Sequence, residues 1–198
     1  MGLDIDYKDG QTPLDEDEKE GLLIETITTR GDLDEFEQLG VEKTNEWLLS
    51  KKLNANKILA EDFVRDLHKR MFSDVWKWSG EFRKTNKNIG VDKLEIGIEL
   101  KKLLDDCMYW IENKTFSKDE IAVRLSHRMV VIHPFANGNG RHSRLIADVL
   151  INKGFGKPYF TWGSRNLAKQ GEVRTQYINA LREADKLNYK LLIEFARS

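Results

Sequence analysis

Apolar residues recur at helical spacing along most of the chain and alternate at a period of two in only one place. In "DLDEFEQLGVEKTNEWLLSKKL", the apolar set Leu33, Phe36, Leu39, Val41, Trp47 and Leu48 predicts an amphipathic helix. "LAEDFVRDLHKRMF" predicts another, with Phe63, Leu67 and Met71 four apart. Helical spacing returns from about Glu99 to Asn113, and again in "SKDEIAVRLSHRMVVI". The latter opens with Ser117 three residues before Glu120, the spacing of a capping box, and offers Ile121, Leu125, Met129 and Ile132 as its buried stripe. "RHSRLIADVLINKG" reads as a helix ended by Gly154, and "GEVRTQYINALREADKLNYKLLIEFA" supplies one or two more. Near the start, residues 1–13 read as extended. "TPLDEDEKEGLL" then offers Thr12 as a cap, Pro13 at the first helical position and acids where the helix dipole favours them, with Gly21 ending the turn.

The exception is "WKWSGEFRKTNKNIGVDKLEIGIEL". Ser79-Gly80 and Gly90 punctuate it, and Ile89 with Val91, then Leu94, Ile96 and Ile98, alternate as in a strand. A short β-hairpin or extended flap is expected there; the alternative is an irregular loop pinned by Ile89 and Leu94. The expected fold class is all-α with that flap, divided into an N-terminal helical arm (1–50) and a core domain (51–198).

Composition narrows the partners. The 198 residues are 40% hydrophobic and 33% charged, an ordinary soluble balance. Thirty-two basic and 33 acidic residues leave a formal charge of -1, so nothing draws the chain as a whole to nucleic acid or to an anionic membrane. Cys107 is the only cysteine, which excludes an internal disulfide and a multi-cysteine zinc site, and its apolar neighbours suggest a buried thiol. The N-terminus lacks an apolar core of signal length, no apolar run spans a bilayer, and Asp6 stands where a myristoylation signal wants Ser or Thr. A cytoplasmic location is expected. The N-terminal helices would allow a homodimer.

The chemistry concentrates in "HPFANGNGRHSR", His133 to Arg144. The first N–H groups of a helix lack internal partners, and the dipole adds positive potential, so a helix starting here suits an anion. Glycines at 138 and 140 would remove side chains that hold phosphate oxygens away, and would permit positive-φ turns. Arg141 and Arg144, three apart, bring two guanidinium forks to the same end, which fits a polyphosphate. The Lys-Ser/Thr pair of a Walker loop is missing. His133 precedes Pro134, which disfavours helix and points to an extended turn, and a histidine beside bound phosphate is a natural general base. Phe135 would anchor the loop, with Ala136 and Asn137 facing the pocket. Each feature alone is more often structural; their fixed order is what carries the reading. A zinc triad of His127, His133 and His142 lacks any fixed ligand spacing.

This stretch closely resembles the signature of the Fic family, H-x-F-x-D/E-G-N-G-R-x-x-R, with a weaker likeness through "WSGEFRKTNKNIG". Within that family the chain resembles the small mobile-element-associated type called mobile mystery protein B. The resemblance implies a helical Fic fold and transfer of AMP from ATP to a hydroxyl of a target protein. It implies His133 as the base, and Gly138, Asn139 and Gly140 lining the hole for the α- and β-phosphates. Arg141 would contact the β-phosphate and Arg144 the γ-phosphate. The flap, around Ile89, Gly90 and Val91, would clamp the target's main chain, and Mg2+ would bridge the phosphates.

Position 137 departs from the pattern. Asn137 stands where the family has an acidic magnesium ligand, and an amide oxygen brings no charge to a hard cation. That leaves open the transfer of another phosphate-containing group, and a weakly active nucleotide-binding, regulatory or toxin-like module; the related Doc branch, which phosphorylates its target, has Lys where this chain has Gly140-Arg141, so AMP transfer is the expectation. Many relatives also carry an inhibitory S/T-x-x-x-E-G/N helix. Glu20-Gly21 supplies its last two positions, with Glu16 in place of Ser or Thr. The expectation is that Glu20 reaches Arg144; the alternative is a solvated acidic arm.

Overall fold

The computed structural model describes residues 13–164 and 170–198; the extended reading before Pro13 and the Thr12 cap lie outside them. The described helices are α1 (Glu16–Lys19), α2 (Arg30–Leu49), α3 (Ala55–Ile58), α4 (Glu61–Phe72), α5 (Ile96–Glu112), α6 (Lys118–Ile132), α7 (Asn139–Val149), α8 (Gln170–Asp185) and α9 (Lys190–Arg197). A π-helical turn, Leu150–Gly154, continues α7. Helix α6 packs between α5 and α7, α2 lies along α4, and α8 pairs with α9. The architecture is all-α, and the described residues contain no strand beyond a single antiparallel bridge between Leu22 and Trp76.

Local chemistry sets the helix starts. The Ser117 hydroxyl accepts the Glu120 N–H at 3.2 Å and caps α6, whose Ile121, Leu125, Met129 and Ile132 are all buried as expected. Asp15 and Glu18 cap α1 reciprocally, so this helix starts later than Pro13. Thr29 and Asp32 do the same for α2.

Two segments differ from the periodic reading. The expected hairpin is absent: Ile96 opens α5 and belongs to a helical stripe with Leu100, Leu103, Leu104 and Cys107, while Leu94 and Ile98 are exposed. The period-two alternation ran across a loop and the first turn of a helix. On α2 the buried face is Leu33, Glu37, Gly40, Thr44 and Leu48, whereas Phe36 and Leu39 face outward. An apolar count favours the wrong side because this buried face includes a charge, a glycine and a hydroxyl.

Gly40 explains how that face fits. A Cβ at this position would lie 2.2 Å from the Met71 carbonyl oxygen of α4, so the two helices meet backbone to backbone. Thr44 donates its hydroxyl to the Gly40 carbonyl at 2.8 Å, which satisfies the polar group buried there. Gly40→Ala forces α2 away from α4 and should cost about 1–3 kcal/mol, read as a thermal midpoint lower by roughly 3–10 °C. An unchanged midpoint would show that the helices do not press together at this point.

Candidate active site

Helix α6 ends on His133, whose backbone is left-handed at φ 54 and ψ 59 rather than extended before Pro134. That conformation costs a non-glycine residue about 1–2 kcal/mol, and several contacts impose it. The His133 N–H still closes the helix on the Met129 carbonyl at 3.0 Å. Arg83 donates Nε to the His133 carbonyl at 2.7 Å, and its backbone N–H bonds the Pro134 carbonyl at 2.9 Å. The imidazole is buried. Burial pushes its pKa down to about 4 against a hydrogen bond to the Val130 carbonyl, and the cations of Arg83 and Lys87 press the same way. At neutral pH this ring is therefore uncharged, and one nitrogen carries a lone pair.

Phe135 then drops into the core, stacked on His68 with ring centroids 3.7 Å apart. The Asn139 side chain braces it, its Oδ1 accepting the Phe135 N–H at 3.0 Å and its Nδ2 donating to the Phe135 carbonyl at 2.7 Å. Both ends of the Asn139 amide are thus engaged in bracing the loop. His68 accepts the Gly80 N–H on Nδ1 at 3.0 Å, so its Nε2 holds the proton and donates to the Asn137 carbonyl at 3.0 Å.

Gly138 is the N-cap of α7 with φ 77, and a Cβ there would come within 2.5 Å of the Phe72 ring. Of the two expected glycines only this one needs a positive φ. Gly140 is helical, and a Cβ on it would meet nothing within 4 Å, so it leaves the helix start bare. Arg141 and Arg144 rise from the first turns of α7, both half-buried. The Arg144 guanidinium lies 5.1 Å from the centre of the Tyr177 ring. One turn on, burial pushes the Asp148 carboxyl up to about 7, opposed by hydrogen bonds from Trp162 and Phe160.

The flap segment lies against His133. A Cβ on Gly90, at φ 104, would sit 2.8 Å from the His133 Cβ. Ile89 is exposed, and Val91 donates its N–H to the Ile132 carbonyl. Buried Arg83 holds both sides of the segment through the carbonyls of Thr85 and Val91. Lys87 is enclosed by Asp15 and Glu18 of the α1 segment.

The structure does not bring Glu20 to Arg144. Glu20 is exposed at the end of α1, and Gly21 is needed for packing, since a Cβ there would lie 2.5 Å from Trp78. The carboxylate that meets the motif is Glu37 of α2, fully buried and paired with Arg141. The three histidines weighed for zinc are held apart by other bonds, His142 to the Val64 carbonyl and His127 to Asp185. Burial raises the Cys107 thiol to about 12. Sequence reasoning missed Glu37, Arg83 and His68, all polar side chains on buried faces; the only signal was a polar residue at a core register of its helix or loop.

An uncharged histidine therefore stands beside a bare helix N-terminus carrying two arginines, an arrangement whose chemistry suits a polyphosphate. Residues 58–151 match the family model described as Fic/DOC family. It is 24% identical over 163 residues to a protein adenylyltransferase Fic of Aedes aegypti, covering 80% of this chain and 31% of that protein. It is 23% identical over 154 residues to one of Nematostella vectensis, covering 72% and 36%. The chain thus spans about a third of the length of these curated relatives. Among solved structures, Fic-1 (residues 134–508) of C. elegans superposes with a TM-score of 0.64 at 20% identity, over 80% of this chain and 46% of that one. BepC of Bartonella tribocorum, solved with bound AMPPNP, gives 0.63 at 16% identity, over 92% and 97%. These likenesses establish the Fic fold. Glu37 lies outside the matched segment.

The buried histidines give the folded state a pH signature. His133 and His142 are pushed down to about 4 from 6.5, and burial holds His68 well below 6.5. Unfolding restores the ordinary value, so below 6.5 the unfolded chain binds more protons, and stability falls as pH drops through 6.5 towards 4. Each histidine should contribute up to about 1.4 kcal/mol per pH unit in that window, and Asp148, whose carboxyl is raised to about 7, offsets one of them. Denaturant titrations at about pH 7 and about pH 5 check this; equal stability at both would contradict neutral burial of these rings.

Proposed function

We propose that this chain transfers AMP from ATP to a hydroxyl side chain of a target protein. The observation that carries the reading is the uncharged His133 ring held beside the glycine-bared start of α7, where Arg141 and Arg144 stand. The triphosphate would lie across that start, with the backbone N–H groups from Gly138 to Gly140 on the α- and β-phosphates and the arginines on the β- and γ-phosphates. His133 would accept the proton of the attacking hydroxyl. The new bond joins that oxygen to the α-phosphorus, the bond from the α-phosphorus to the bridging oxygen breaks, and pyrophosphate leaves. Burial depresses the His133 pKa most, and Arg83 and Lys87 press the same way; bound phosphates would oppose the two cations and raise it.

The donor set bears on magnesium. The described residues contain no group of three His, Cys, Asp or Glu side chains suited to hold a metal, and the motif contributes the neutral amide of Asn137. That set fits an ion arriving on a triphosphate, with Asn137 as one oxygen ligand, and not a resident ion. When bound, magnesium would neutralise phosphate charge and favour departure of pyrophosphate.

The flap would order the target's main chain beside His133, supported by Ile89 exposed at its edge and Gly90 packed on the histidine. We assign the chain to the mobile mystery protein B type on its motif residues, and to the cytoplasm. A homodimer would use the outward Phe36 and Leu39 of α2.

The test is transfer of label from α-labelled and γ-labelled ATP, with magnesium, into a bacterial lysate and into the chain itself. The α-label should be incorporated and the γ-label should not, and His133→Ala should reduce incorporation by about 100-fold or more. Incorporated γ-label would establish phosphoryl transfer instead. Nucleotide binding without either label would establish a binding module.

A further inference from the structure

We infer that Glu37 is a positioning residue for the nucleotide, acting through Arg141 and Asn137; the inference rests on the phosphate reading above. Glu37 occupies the middle of the buried face of α2, with no exposed surface. Three N–H donors converge on it. Trp76 Nε1 at 2.6 Å and Asn137 Nδ2 at 3.1 Å share its Oε1, and Arg141 Nη2 bonds Oε2. A carboxylate offers acceptors only and satisfies all three. An amide would turn its NH2 group either onto the arginine or onto the indole and the asparagine.

Two consequences follow for the motif. With Nδ2 held by Glu37, Asn137 presents its Oδ1 on the opposite side of the amide, as an oxygen donor away from α2. Arg141 commits one nitrogen of a planar, five-donor fork to Glu37, and the Phe72 ring lies 5.0 Å from its guanidinium carbon. A phosphate arriving at the start of α7 therefore meets an arginine that is already oriented, and binding orders less side-chain freedom.

The same geometry accounts for the asparagine. An aspartate at 137 would set a carboxylate oxygen where Nδ2 now stands, 3.1 Å from Glu37 Oε1. Two carboxylates at that distance repel. The negative charge of this corner is already supplied by position 37, so the residue at 137 must donate. Glu37 is thus an orienting partner and not a phosphate mimic that blocks Arg141, which distinguishes the arrangement from an inhibitory glutamate.

The experiment is calorimetric titration of ATP, ADP and AMP into wild type, Glu37→Gln and Asn137→Asp, with and without magnesium, alongside thermal midpoints. Glu37→Gln should bind ATP and ADP about tenfold more weakly and AMP within about twofold of wild type, because Arg141 serves the β-phosphate. A merely structural role would lower the midpoint and leave the ratio of ATP to AMP affinity unchanged, which would overturn the inference. Equal or tighter ATP binding by Glu37→Gln would also overturn it, by making Glu37 neutral or inhibitory. Asn137→Asp should lower the midpoint by about 5 °C, and by about half as much or less in the Glu37→Gln background; equal losses in both backgrounds would contradict the clash. A wild type that binds no nucleotide would overturn the phosphate reading itself and this inference with it.

Discussion

The site depends on where Phe135 is buried. Its ring has no exposed surface, lies flat on His68, and has its backbone N–H and carbonyl both held by Asn139. Two residues upstream, this anchor holds His133 in a left-handed turn that an isolated chain would avoid; three residues downstream it places Gly138 at the start of α7. The loop is a rigid splice between the two helices that pack most extensively on one another. Its polar groups are bonded into the core, so the two ends of the proposed site are set by an aromatic side chain that would take no part in the chemistry. Strain at a functional residue persists in this way, when surrounding packing over-determines it.

Around that splice the protein uses buried charge as a fastener. Arg83 ties the flap to the loop on one side, and Glu37 ties α2 to the loop on the other. Isolated charges would be costly to desolvate, yet each here meets two or more partners of the right polarity. Lys87, closed in by Asp15 and Glu18, extends the scheme to the α1 segment. The flap is therefore held by carbonyls and ion pairs rather than by a strand ladder.

The helical plan and the motif were legible in the residue order, and polar core positions were not. The α6 stripe and the Ser117 cap followed from periodicity because every buried position there reads as apolar or as a cap. Helix α2 misled for the opposite reason: Glu37, Gly40 and Thr44 are buried by one backbone contact and two sets of hydrogen bonds, none of which a hydrophobicity pattern records. The flap misled because an alternation in sequence carried no information about pairing partners, and α5 claimed Ile96 through its own helical stripe. His133, Gly138, Arg141 and Arg144 could be read together because they lie in one contiguous stretch. Glu37 was not, since it meets Arg141 across 104 positions of sequence.

The central claim is that the start of α7 is a triphosphate site facing His133. The most direct measurement is a crystal structure of the chain with magnesium and a non-hydrolysable ATP analogue. The account predicts phosphate oxygens on the backbone from Gly138 to Gly140, both arginines engaged, and the α-phosphate turned towards the His133 ring. A nucleotide bound elsewhere, or with its triphosphate directed away from α7, would contradict it.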